Sequence, residues 1–136
     1  MEKIIVNVGW YDKNFGASLG KNVPGAVLLT AKTYDELQAS VPETLRFHVQ
    51  GMLDDGDVVP LWLANGDYEF EYVLDTAALI HVCESYTSLA AISRASGINQ
   101  HLLSHYANGM KIPRPKQRER IINGIRMIGL ELMSVV

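Results

Sequence analysis

Ser88-Leu-Ala-Ala-Ile-Ser-Arg-Ala-Ser-Gly-Ile-Asn-Gln-His-Leu-Leu-Ser-His-Tyr-Ala-Asn-Gly109 reads as a helix, a tight turn and a second helix. Leu89, Ile92 and Ala95 recur at helical spacing, which gives the first helix one apolar face. Gly97 interrupts it where a positive φ is expected. Ile98 is placed to plug the junction, and Asn99 to cap the next helix through its side-chain oxygen. Leu102, Leu103 and Tyr106 hold the second helix against the first. Asn99, Gln100, His101, Ser104 and His105 are left on its outer face, and Asn108-Gly109 stops it.

That pattern implies a helix-turn-helix whose second helix enters the major groove of double-stranded DNA. The side chains suit the task. The amides of Asn99 and Gln100 can pair with adenine, and Ser104 can bond to bases or phosphates. The plainer reading of the same residues is a helical hairpin with a solvated outer face. The stretch resembles the phage-repressor (Xre-like) class, with Leu89 where that class usually carries a glutamine.

Charge divides the chain in the same way. Apolar residues make up 48% and charged residues 20%, ordinary for a folded globular chain. The net charge of −3 is unusual for a DNA binder, but it is the sum of two unlike halves. Residues 1–75 hold five Lys/Arg against twelve Asp/Glu, a net −7. Residues 76–136 hold seven against three, a net +4. The cationic half contains the helix pair, where attraction to phosphate is needed. Arg94, Lys111, Arg114, Lys116 and Gln117 are its candidate backbone contacts. The anionic half repels DNA and suits a basic protein partner, although an acidic half also aids solubility. A single cysteine, Cys83, excludes an internal disulfide framework and suits a reducing compartment. No signal peptide is visible and no apolar run approaches membrane-spanning length. The expected location is cytoplasmic, with no membrane partner.

The segment before the helix pair reads as strands and one helix. Glu2–Trp10 and Phe15–Leu19 form a hairpin around Tyr11-Asp12-Lys13-Asn14. Pro24-Gly25 predicts a type II turn, and Ala26–Thr30 a third, more buried strand. Thr33-Tyr-Asp-Glu36 is a capping box. The helix after it carries Leu37, Val41, Leu45, Val49 and Met52, with Pro42 expected to kink it or mark an irregular first turn. Gly51 and Asp54-Asp55-Gly56-Asp57 are expected to end it. Val58–Ala64 is an edge strand or a packed loop, and Tyr68–Leu74 a half-exposed strand. The fold class is therefore α+β: a small antiparallel sheet with one helix in residues 1–75, then an all-α helix-turn-helix unit in 76–136. In the second unit a helix from Asp75-Thr76 to about Tyr86 turns Leu79, Val82 and Cys83 inward. A last helix, Lys116–Ile128, turns Ile121, Ile125 and Ile128 inward, and residues 129–136 pack back onto the helices.

Val23-Pro-Gly-Ala-Val, then Thr33-Tyr-Asp-Glu-Leu, then Gly51-Met-Leu-Asp-Asp-Gly56 occur in an order that resembles the HicB antitoxin family over roughly residues 3–60. Ala26 stands where that family usually has Cys. The resemblance implies a partly degenerate ribonuclease-H-like fold for the first unit. It also implies neutralisation of a small basic HicA-like mRNA-cleaving toxin, and repression of the shared operon. Tyr11, Asp12, Asp54, Asp55 and Asp57 are the expected toxin contacts, on charge and exposure alone.

Other chemistry is less well supported. His101 and His105 sit at zinc-ligand spacing but lack a third donor nearby in sequence. His81 and Cys83 point to different faces of one helix. Asp54, Asp55 and Asp57 lie on one loop, whereas metal-dependent nuclease sites gather carboxylates from several strands. No catalytic residue, metal or cofactor is expected. The leading expectation is an antitoxin that self-associates as a dimer or higher oligomer. The rival is a stand-alone transcription regulator whose first unit oligomerises or binds a small ligand.

Overall fold

The first strand, β1 (Glu2–Tyr11), alternates the buried residues Ile4, Val6 and Val8 with outward-facing neighbours. The computed structural model describes residues 1–136 and divides into two compact units, Met1–Asp75 and Thr76–Val136. The chain is α+β, with one four-stranded sheet and six helices. No helix is long and apolar enough to cross a membrane.

In the first unit, β1 runs into β2 (Asn14–Leu19) through a two-residue turn. Asp12 and Lys13 both have positive φ, 49° and 65°, as a type I′ hairpin turn requires. β3 (Leu28–Ala31) pairs antiparallel with β2, and the sheet order is β3-β2-β1-β4. β4 (Tyr68–Leu74) pairs with β1 in parallel, Ile4 opposite Phe70 and Val6 opposite Tyr72. The sheet is therefore mixed rather than antiparallel. The reason is the long connection from β3, which carries the chain back to the starting end of β1. That connection is α1 (Tyr34–Asp54), and Leu37, Val41, Leu45 and Val49 bury its inner face.

Thr33 caps α1 by accepting the Glu36 N–H at 3.1 Å. Pro42 lies in the third turn of a helix that continues from Tyr34 to Asp54, where its missing N–H leaves one helical hydrogen bond unmade. The helix also runs through Gly51 and ends at Asp54, so Gly51 is not a terminator. The third strand is not the buried one expected. It starts two residues later, on the sheet edge, with Leu28 72% exposed, while Val27 just before it enters the core. The Val58–Ala64 stretch is neither strand nor loop throughout. Pro60 initiates one helical turn, α2 (Leu61–Ala64), which drops Leu63 into the core beside Ile4 and Leu45.

One sheet face is covered by α1 and the other faces solvent, as the half-exposed alternation of β4 records. Aromatic side chains line the covered side. The Tyr34 and Tyr72 rings meet edge to face at 6.1 Å. Burial raises both hydroxyl pKa values above the ordinary tyrosine value, and for Tyr34 the neighbouring Tyr72 adds to it.

The second unit is four helices: α3 (Thr76–Cys83), α4 (Leu89–Ser96), α5 (Gln100–Ala107) and α6 (Pro115–Val135). Their shared core is Ile80, Ile92, Ile98, Leu103, Tyr106, Ala107 and Ile121, so each helix contributes at least one residue. α3 differs from expectation. It ends at Cys83, and its fully buried large side chain is Ile80 rather than Leu79 or Val82. The His81 ring nitrogen Nε2 donates to the Ala107 carbonyl at 2.9 Å, tying α3 to the end of α5. α6 crosses α4 at Gly124, where an added Cβ would lie 2.9 Å from the Ser96 nitrogen. The segment 129–136 does not fold back: α6 continues through Gly129 to Val135 with every one of those residues exposed.

Two outcomes follow for stability. Gly124→Ala should lower the thermal midpoint, costing about 1–3 kcal/mol as an overpacked contact, whereas Gly129→Ala, with open space around it, should be neutral or raise it. Thermal unfolding followed by circular dichroism separates the two. The tyrosine shifts give a sign as well. A proton held more tightly in the folded state stabilises it below pH 10. The Met1–Asp75 unit should therefore lose stability as pH rises past that value, and Tyr72→Phe should blunt the loss.

Candidate nucleic-acid interface

The α4–α5 corner is built by local hydrogen bonding. Ser88 caps α4 by accepting the Ala91 N–H at 3.1 Å. Gly97 closes α4 in the left-handed region, φ 73°, where a side chain would be strained. Ser93 Oγ donates to the Ile98 carbonyl at 2.6 Å, and Ser96 Oγ accepts the Ile98 N–H at 3.2 Å. Ile98 is thereby pinned with its side chain in the core, 3% exposed. Arg120 reaches from α6 to donate to the Ser96 and Gly97 carbonyls at 3.3 and 3.1 Å. A cation at the carbonyl end of α4 satisfies orphan acceptors and opposes the helix dipole.

The corner exposes the first turn of α5. Asn99 Oδ1 accepts the His101 N–H at 2.7 Å, so this amide oxygen is already used as a cap. Asn99 therefore cannot offer adenine a free oxygen–nitrogen pair as Gln100 can. Gln100 and His101 are exposed; Ser104 and His105 are half-exposed. The His101 and His105 rings lie 4.6 Å apart on one face of α5. No group of three or more His, Cys, Asp or Glu side chains comes together in the chain.

The basic residues sort into two kinds. Arg118 donates to Thr76 Oγ1 at 2.9 Å and Arg120 serves the corner, so both are structural ties. Arg94, Lys111, Arg114 and Lys116 are exposed, with no acidic side chain of the chain in ion-pair contact. Gln117 is half-buried, and its Oε1 accepts from Arg120 at 2.8 Å, which leaves only its NH2 group for a phosphate. Arg120 was not among the sequence candidates. A cation 23 residues after Gly97 is legible as a cap only once α6 is known to cross α4. Cys83 packs against the core cluster, and burial raises its thiol pKa.

In the Met1–Asp75 unit the acidic candidates separate. Tyr11 and Asp12 are exposed at the β1–β2 turn. The Asp54–Asp57 loop lies at the opposite end of the sheet, because α1 starts after β3 and runs back along it. Asp54 is engaged by Gln50 Nε2 at 2.8 Å. Asp55 and Asp57 rim a groove of about 520 Å³ with Val27, Leu28, Phe47 and His48 on its walls. His48 Nε2 donates to the Pro24 carbonyl at 2.7 Å and holds the Pro24-Gly25 turn against α1. Phe47, 84% exposed, and Leu28 give this end an apolar surface that helical periodicity did not single out.

Comparison of the chain with family models, with curated proteins and with solved structures gives no match.

If Asn99 is a cap first, Asn99→Ala should cost about 1 kcal/mol of stability in the absence of any ligand, and Asn99→Asp should retain it. Equal thermal midpoints for Asn99→Ala and the parent would remove the capping role.

Proposed function

We propose that this protein is an antitoxin of the HicB-like kind. It binds operator DNA through Thr76–Val136 and neutralises a small basic mRNA-cleaving toxin through Met1–Asp75. The observation that carries the reading is that the charge reversal, −7 before and +4 after residue 75, falls on the boundary between the two compact units. One unit is suited to phosphates and the other to a cationic protein.

For the DNA half, the support is a helix pair with a glycine-capped corner that leaves Gln100, His101, Ser104 and His105 outward. Unpaired Arg94, Lys111, Arg114 and Lys116 supply sequence-independent attraction. For the toxin half, the support is the acidic rim of Asp55 and Asp57 beside exposed Phe47 and Leu28. Anionic groups around apolar anchors suit a basic protein better than a nucleic acid. A three-stranded meander, a helix and a fourth strand parallel to the first is also the order in which a ribonuclease-H-like sheet begins. A toxin that works on RNA has to be basic, so an anionic face competes with its substrate by charge.

A second reading, a stand-alone regulator, draws on the same groove, which is of a size to take a small molecule.

Two measurements test the proposal. Gln100→Ala should weaken preference for the cognate operator by about 1–3 kcal/mol, while Arg114→Ala weakens binding to all sequences alike and lowers the salt slope by about one. Equal losses for both variants on all sequences would refute the roles. Co-expression with a small basic ribonuclease encoded beside it should restore growth and yield a complex weakened by Asp55→Lys with Asp57→Lys, and the lack of any such neighbouring frame would count against the antitoxin reading. Absence of both rescue and complex would leave the regulator.

A further inference from the structure

The four histidines are of two kinds. His48 and His81 each commit a ring nitrogen to the backbone, at the Pro24 and Ala107 carbonyls. The rings of His101 and His105 hydrogen-bond to no protein group. They project from one side of α5, His101 exposed and His105 half-exposed, with ring centres 4.6 Å apart. The backbone beneath them is fastened at both ends. Asn99 Oδ1 accepts the His101 N–H at 2.7 Å, and the His105 carbonyl accepts the Met110 N–H at 3.0 Å. Buried Leu103 and Tyr106 anchor the opposite side of the helix in the core. Two unbonded imidazoles are thus held side by side on a rigid turn.

We propose that His101 and His105 form a two-imidazole site for one exchangeable divalent cation of the Cu(II) and Ni(II) class. The spacing fits. With metal–nitrogen bonds of about 2.0–2.1 Å, and about 1.2 Å from nitrogen to ring centre, two imidazoles on one ion have centres roughly 4.5–5.2 Å apart at bond angles of about 90–110°. The observed 4.6 Å lies in that range. The donor set decides the class of ion. α5 carries no carboxylate, and hard ions such as Mg(II) and Ca(II) need oxygen ligands. The unit has a net +4, so an ion is drawn here by nitrogen lone pairs and not by charge. Imidazole suits Cu, Ni and Zn, and the general affinity order puts Cu(II) first. No third protein donor joins the pair, so the other positions fall to water and the ion exchanges freely, unlike a structural zinc with four protein ligands. The site goes beyond the proposed function and does not depend on it. Under that function the ion would stand in the outward row with Gln100 and Ser104, where bases are read.

The test is titration of the full chain with Ni(II), which leaves the Cys83 thiol unoxidised, in the absence of DNA. Calorimetry should show one ion per chain, and a large excess of Mg(II) should leave the titration unchanged. In proton spectra, substoichiometric Ni(II) should broaden the ring signals of His101 and His105 while those of His48 and His81 stay sharp. His101→Ala and His105→Ala should each weaken binding about tenfold or more, because the second imidazole of a chelate binds at high effective concentration. Both side chains lie outside the core, so circular dichroism should match the parent. Broadening on the unmodified chain decides the matter should either variant misfold. The site is overturned by an absence of Ni(II) binding, by equal broadening of all four histidines, by displacement with Mg(II), or by a single variant that binds like the parent.

Discussion

The Thr76–Val136 unit depends on how the carbonyl end of α4 is closed. Without a left-handed residue at Gly97 the chain would continue as helix, and α5 would not turn away. Turning leaves carbonyls without intrahelical partners, and Arg120 supplies donors for two of them. Arg120 can do so only because Gly124, on the same helix, allows α6 to touch the Ser96 backbone. One glycine makes the bend and another brings in the cation that satisfies it. The direction of α5, and with it the outward row from Gln100 to His105, is set by those two positions.

The first unit is governed by a different constraint. A sheet with one helix-covered face has to place its longest apolar strand centrally, and β1 occupies that place, between β2 and β4. The cost of a parallel β1–β4 pair is a crossover, and α1 provides it while covering the sheet. This arrangement sends the two exposed acidic segments to opposite ends. The β1–β2 end presents Tyr11 beside Asp12, whereas the Asp55–Asp57 end presents a groove walled by Val27, Leu28, Phe47 and His48, so the two ends are chemically unlike.

Much of this was legible in residue order. Gly97, Asn99 and Ser88 announce their roles because caps and left-handed turns act over two or three residues. Thr33 and the alternation of β4 are equally local. Features requiring knowledge of distant neighbours were not legible. The parallel pairing of β4 is invisible to a period-two pattern, which is the same for either direction. Leu28 looks like a core residue because periodicity cannot tell an edge strand from a central one. The segment 129–136 looks like packing material because apolar composition reports that a surface needs a cover, not where the cover comes from. Asn99 shows the converse: a residue suited both to capping and to base pairing was assigned both tasks, and the 2.7 Å bond to His101 N–H commits its oxygen to the first.

A chain with a net charge of −3 can still associate with a polyanion because charge acts locally in salt. At physiological ionic strength, exposed charges further apart than about 8 Å are largely screened from one another. Phosphates near Arg114 and Lys116 therefore respond to those side chains and only weakly to the surplus of carboxylates in the other unit. Removing salt strengthens the attraction at short range but also extends the reach of the −7 unit. The two effects oppose each other, so under the proposed function the affinity of the whole chain for DNA would rise less steeply at low ionic strength than its cationic contacts alone would dictate.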